Sequence, residues 1–187
     1  MTSLVVPRPI GWISTWSGED RANLAPFSYF AAVSVAPMLV SVSIGNRREG
    51  LKDTLTNIRA RQAFCVNVVT EAQLAAMNET SASVGPHVDE FELAGLERGV
   101  SDRVDAPFVA DCPAVLECRV RQEVDLGGAP NTLVLAEVVG VRLSEELEFE
   151  EDTMIVRPES LRPVGRLGGR RISENRDVER VLRPDRR

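Results

Sequence analysis

Lysine is almost missing from this chain of 187 residues: of 22 basic residues one, Lys52, is lysine and the rest are arginine. Histidine is just as scarce. His87 alone cannot build a His-rich metal site, and no GxSxG elbow accompanies it to make a Ser–His–acid triad. Cys65, Cys112 and Cys118 are odd in number and show no CxxC spacing. That argues against a disulfide framework or a zinc site, and for reduced thiols in a cytoplasmic protein. No apolar run approaches the roughly 20 residues a membrane helix needs, and the start, MTSLVVPRP, has neither the basic end nor the apolar core of a signal peptide. Neither GxGxxG nor GxxxxGK(S/T) occurs, so a Rossmann nucleotide site and a Walker-type NTPase are both unsupported. The net charge of −6, with a pI near 5.0, gives a field that repels nucleic acid and anionic membrane.

What is present is ordinary for a globular protein: 43% apolar and 27% charged residues, in a length that fits one domain spanning 1–187, of which 170–187 is a charged tail. A chain of this size buries roughly 70% of its unfolded surface. Ile10 to Thr15 reads as a strand, entered through Pro7 and Pro9, which hold the lead-in extended. The polar turn Gly18–Arg21 then pairs it antiparallel with the segment after Asn23. From Leu39 to Gly45, Val40, Val42 and Ile44 alternate with Ser41, Ser43 and Gly45. The small, hydroxyl-bearing face suits either solvent or a ligand beside the sheet. Lys52 to Arg61 reads as a helix with Leu51, Leu55 and Ile58 as its buried stripe. Phe64–Val69 is a buried strand, and Thr70 opens a second helix with Gln73 completing a capping box and Leu74 and Met77 facing inward. Ser81 to Cys112 is irregular, anchored by Phe91, Leu93 and Leu96, and long enough to be a lid or binding surface. Two long strands follow around the turn GGAPN. In the first, Leu116, Cys118 and Val120 form a dry face against Glu117, Arg119 and Arg121; the second, Thr132–Leu143, is apolar on both faces. Glu145–Asp152 reads as a solvated loop, Leu161–Gly169 as a last strand and turn, and Val178, Val181 and Leu182 as the only apolar face of the tail. Short antiparallel strands with two interposed helices indicate a barrel with helical decoration rather than a βαβ sheet.

Three segments carry more information than the rest. RPIGWIST is a strand ending in two hydroxyls, NLAPFS follows the polar turn, and SIG leads through NRRE to GLKDT at a helix start. With RLGG at Arg166, they occur in an order and spacing that resembles the flavin reductase-like family. The resemblance implies a mainly β fold, an FMN-binding split β-barrel of Greek-key type with flanking helices, assembled as a homodimer. It further implies an NAD(P)H-dependent flavin reductase that supplies reduced flavin to a monooxygenase or other redox partner. A flavoredoxin-like electron carrier without nicotinamide turnover and a non-catalytic flavin-binding protein are the alternatives.

The residues themselves suit such a cofactor, which needs an anion pocket, polar contacts along a ribityl chain and a flat slot. Lys52 and Thr54 stand at a helix start, where a point charge, a hydroxyl and unpaired amides can converge on a phosphate. Lys52 also reads as a chance survivor on a solvated helix. Asp53, which would repel phosphate, is expected to cap the helix or orient a neighbour. Ser14, Thr15, Ser28 and Ser43 offer hydroxyls at strand ends beside Gly45. Asn23, Leu24 and Ala25 correspond to the family segment whose amides run along the flavin edge, placed to stabilise the charge of the reduced ring. Trp12 is either core or a flank of the ring, and His87 either an ordinary loop residue or part of the site's mouth. Arg166 remains from the family pattern, whereas the tyrosine that many relatives carry after RLGG is replaced here by Arg170, Arg171 and Ile172. No catalytic acid or base and no metal ligand are expected.

Overall fold

The computed structural model describes residues 1–47 and 50–174. In chain order the strands are β1 (Arg8–Pro9), β2 (Gly11–Trp16), β3 (Ala22–Phe27), β4 (Phe30–Val35), β5 (Met38–Gly45), β6 (Ala63–Val68), β7 (Arg98–Val100), β8 (Pro107–Val109), β9 (Ala114–Asp125), β10 (Asn131–Leu143), β11 (Val164–Arg166) and β12 (Ile172–Glu174). The helices are α1 (Asp53–Arg61), α2 (Leu74–Glu79), α3 (Glu90–Leu93) and α4 (Pro158–Leu161). Seven strands form one antiparallel sheet in the order β3-β2-β6-β9-β10-β5-β4.

The sheet cannot be flat. Its outermost strands, β3 and β4, are joined by Ser28 and Tyr29 alone, and three peptide units reach about 11 Å. Seven flat strands would hold those edges about 29 Å apart, six spacings of about 4.8 Å. The edges must therefore curl together into a barrel with an unpaired seam. Phe30 on β4 lies against Gly11 on β2, where an added Cβ would stand 2.9 Å from the Phe30 ring. The glycine of RPIGWIST is thus a packing requirement of the seam.

Alternation along the strands sorts side chains between two cores. Ile13, Phe27, Val42, Ile44, Phe64 and Val66 fill the barrel, together with Leu55 and Ile58 from α1, which plugs one end. Trp12, Leu24, Cys65 and Val115 point outward into a second cluster with Met77, Phe91, Phe108 and Val109. β2 and β6 are consequently dry on both faces, and the 81–112 segment is the layer that covers them. It holds α3 and the β7–β8 hairpin, which the sequence had suggested was irregular chain. Phe91 is fully buried there and Leu96 packs at its edge, but Leu93 is exposed.

Other expectations need correction. Leu51 is exposed and precedes α1, whose N-cap is Lys52. The capping box at Thr70 does not form: the Thr70 hydroxyl donates to Oε1 of Gln73 at 3.1 Å, and a short 3-10 turn, Glu71–Gln73, leads into α2. β4 was not anticipated. Glu117, read as solvent-facing, is buried and accepts hydrogen bonds from the Ser101 hydroxyl and the Arg103 amide. Val178, Val181 and Leu182 lie outside the described residues. No helix among the described residues is long and apolar enough to cross a membrane.

Replacing Gly11 by alanine should overpack the seam and cost about 1–3 kcal/mol. Urea denaturation should show a lower midpoint with an unchanged slope.

Candidate functional site

α1 begins beside the open edge of β3, and its first turn has no side-chain cap. A cavity of about 100 Å³ lies there, lined among others by Asn23, Arg47, Lys52, Thr54, Ser81 and Glu90. Lys52 is half-buried with its ammonium 5.1 Å from the centre of the Phe27 ring. Burial, and then the neighbouring Arg47, pull its pKa down from the ordinary lysine value. Asp53 does not cap the helix; it accepts a hydrogen bond from Arg47 at 2.6 Å and so fixes that guanidinium at the cavity wall.

Behind the wall runs a buried polar network. The amide nitrogen of Asn23 donates to both carboxylate oxygens of Glu90, at 3.1 and 3.0 Å, and the Leu24 backbone amide donates to the same carboxylate at 3.1 Å. An ionised carboxylate only accepts, so Asn23 must turn its oxygen the other way. That oxygen accepts from Thr54 at 2.9 Å and Thr15 at 3.3 Å, while Asn57 donates to the Thr15 hydroxyl at 3.0 Å. Four elements, β2, β3, α1 and α3, are tied together through one asparagine. Burial pushes the Glu90 pKa up, against the hydrogen bonds from Leu24 and Asn23 that hold it down.

Pro26 and Ser81 also line a second, much larger cleft of about 1030 Å³, bounded by Ser28, Arg166, Arg170, Met77 and Ile172. Its floor comes from α2 and one wall from the small sheet β1-β11-β12. That sheet unites the PRP and RLGG segments: Arg8 pairs with Arg166, and the buried Arg8 guanidinium donates to the carbonyls of Thr2, Val5 and Leu167. Arg166 donates to the Gly169 carbonyl at 2.6 Å, shaping the turn that presents Arg170.

The residues singled out in the sequence thus divide. Asn23, Ala25, Lys52 and Thr54 line the small cavity, and Ser28 and Arg166 the cleft. Trp12 is fully buried; its indole donates to the Thr80 hydroxyl at 2.8 Å, so it lines neither cavity and braces the wall from behind. Ser14 is fully buried and donates to the Pro107 carbonyl, and the Thr15 hydroxyl is consumed by the network. The Leu24 side chain is core and its amide is given to Glu90. Two residues on, the same strand edge carries Pro26, which has no N–H, so the amide row expected along Asn23–Ala25 is not available. Ser43 and Gly45 sit on the outer face of β5, where Ser43 accepts from Asn131, and line neither cavity. His87 lines a separate hollow with Arg21 and Asn57. Glu90, Arg47 and Ser81 were missed; the sequence signal for Glu90 was its place next to the buried Phe91, inside a run otherwise rich in solvated acids.

A model of the flavin reductase like domain matches residues 1–164. The chain belongs to the flavin reductase-like family. It is 36% identical over 168 residues to a protein of Aquifex aeolicus, covering 89% of this chain and 84% of that one. Nitrilotriacetate monooxygenase component B from Bacillus cereus has the same fold, with a TM-score of 0.90 at 30% identity over 96% of this chain and 90% of its own. A Shewanella frigidimarina structure with a split barrel domain matches at a TM-score of 0.87 and 20% identity, over 98% of this chain and 89% of that one, which identifies the barrel and its seam as the split-barrel fold.

Burial pushes the Cys65 and Cys112 thiols up to about 12, and that of Cys118 well up, so none is a nucleophile near neutral pH.

Removing the hub should be costly. Asn23→Ala leaves a buried carboxylate with one donor and should destabilise the protein by about 2–4 kcal/mol. Adding Glu90→Gln to that variant should recover part of the loss, because the orphaned charge is gone; a double-mutant cycle from denaturation curves measures this coupling.

Proposed function

We propose that the protein binds FMN, with the phosphate in the small cavity and the ring in the cleft, and passes hydride from NADH or NADPH to flavin. The observation that carries this reading is the adjacency of the two cavities through Pro26 and Ser81. A small pocket that holds Lys52 and Arg47 shares this wall with a space at the upper end of small-molecule sites. The residues fit the cofactor. Burial and the neighbouring Arg47 lower the Lys52 pKa in a partly desolvated pocket, a repulsion that a phosphate between the two side chains relieves. The uncapped first turn of α1 adds amide donors and the positive end of the helix dipole.

When bound, FMN supplies the electron-accepting ring; the chain supplies binding, orientation and exclusion of water. Hydride transfer between two rings needs no protein base, only near-attack stacking. The width of the cleft beside Ser28 leaves room for a donor ring over the flavin, and Arg166 and Arg170 give its far end a cationic character suited to an anionic donor. A homodimer completes the reading. The edge strand β4 exposes Val33 and Val35, the latter 91% exposed, and β5 opens with exposed Met38 opposite Val35, a strip that a second copy would cover. The likeness to a monooxygenase component B supports delivery of reduced flavin to a separate oxygenase.

Purified protein should oxidise NADH or NADPH continuously when free FMN is added, followed by absorbance. Photoreduction and electron transfer to a protein acceptor with no pyridine-nucleotide oxidation would instead make it a flavoredoxin-like carrier. Lys52→Ala should weaken FMN binding by about 1.5–3 kcal/mol, the scale of a charged hydrogen bond, and the loss should shrink as salt rises. Fluorescence titration at low and high ionic strength checks both.

A further inference from the structure

The small cavity contains a feature that a phosphate pocket would not be expected to contain: an acid. Glu90 lines it together with Lys52 and Thr54. Moreover the Thr54 hydroxyl, in the first turn of α1, points its proton at Asn23 at 2.9 Å and keeps only lone pairs for a ligand. A phosphate dianion is purely an acceptor. In the arrangement described, it meets a carboxylate and a threonine that cannot donate.

Both obstacles have one origin. Ionised Glu90 demands the amide nitrogen of Asn23, Asn23 therefore shows its oxygen to Thr54 and Thr15, and each of those hydroxyls must donate to it. We propose that Glu90 is a specificity-determining residue of this pocket: its protonation reverses Asn23 and releases the Thr54 hydroxyl to donate to a ligand phosphate. The protonated carboxyl donates to the Asn23 oxygen and still accepts from the Leu24 amide. The Asn23 nitrogen then donates to Thr54, which turns its proton toward the cavity, and to Thr15, whose proton passes to the side-chain oxygen of Asn57 as that amide reverses in turn. The proton comes from solvent through the cavity, and one negative charge leaves the wall as the phosphate arrives.

The surroundings of Glu90 favour this. Asn23 and the Leu24 amide face it from β3 and Asp53 from the first turn of α1, with Lys52 and Arg47 across the cavity. The adjacent Asp89 is turned away, onto Arg98 of β7 at 2.7 Å. Burial first, and Asp53 besides, already raise the Glu90 pKa. A bound phosphate raises it further, so ligand binding draws in a proton at any pH between the free and bound values.

This inference rests on the phosphate-pocket reading, and the test separates the two. FMN and riboflavin are titrated into the protein by calorimetry from about pH 5 to 8, in buffer pairs of different ionisation enthalpy, which counts protons exchanged. The wild type should take up close to one proton more with FMN than Glu90→Gln does and none with riboflavin, and its preference for FMN over riboflavin, relative to that of Glu90→Gln, should fall as pH rises. Glu90→Gln imitates the protonated carboxyl: it should bind FMN at least as tightly, without that uptake, leaving only the titration of the phosphate itself. Thr54→Val, which keeps Glu90, should lose about tenfold in FMN affinity and nothing for riboflavin. An FMN preference without proton uptake, or uptake unchanged in Glu90→Gln, overturns the inference while leaving the phosphate pocket standing. An unaltered FMN preference in Thr54→Val overturns the route through Thr54. Equal affinities for FMN and riboflavin in the wild type overturn the pocket reading and this inference with it.

Discussion

The two-residue connection between β3 and β4 is the constraint on which the rest of the structure depends. It obliges the two edges of a seven-stranded sheet to meet, and a curled sheet needs a filled interior, which Val42, Ile44, Phe64 and Val66 supply along with the inner face of α1. Because α1 plugs the barrel, its first turn is fixed against the free edge of β3. Because β2 and β6 are left with a dry outer face, the 81–112 segment must cover them, and this brings α3 and Glu90 to that same edge. The candidate site is thus the place where the closure of the barrel and the covering layer intersect.

A buried carboxylate is a costly way to hold such a junction. Its desolvation is offset by three hydrogen bonds, two from the Asn23 side-chain nitrogen and one from the Leu24 amide. The return is directional. While Glu90 is ionised each member of the network has a single way to satisfy its neighbours, so four elements are tied in one arrangement around a cavity that also holds Lys52 and the Arg47–Asp53 pair. Rigidity of that kind suits a cofactor whose phosphate anchors it and whose ring must be held at a set position in an otherwise wide cleft.

Much of this was legible in the residues. The alternation of β5, the two long strands β9 and β10 and the stripe Leu55–Ile58 follow from period and length, and family motifs pointed to Asn23, Ala25, Ser28, Lys52, Thr54 and Arg166, which line one or other of two cavities that share Pro26 and Ser81. What failed was decided by tertiary contacts. The hydroxyls of Ser14 and Thr15 looked free because nothing local shows that Pro107 and Asn23 would claim them. α3 and the β7–β8 hairpin are too short to declare themselves by periodicity; they exist because Phe91 and Phe108 pack on the outer face of the sheet. Glu117 and Glu90 stood among other charges, and a chain read in sequence does not distinguish a solvated glutamate from one that organises a buried network.

The claim that ties fold to function is the seating of the cofactor across the two cavities, and a crystal structure of the protein grown with FMN tests it most directly. The account predicts phosphate oxygens within hydrogen-bond distance of the Lys52 ammonium and the first-turn amides of α1, with the ring lying in the cleft beside Ser28 and Arg166. A phosphate held at the Arg166–Arg170 end, with the small cavity left to water, would contradict it.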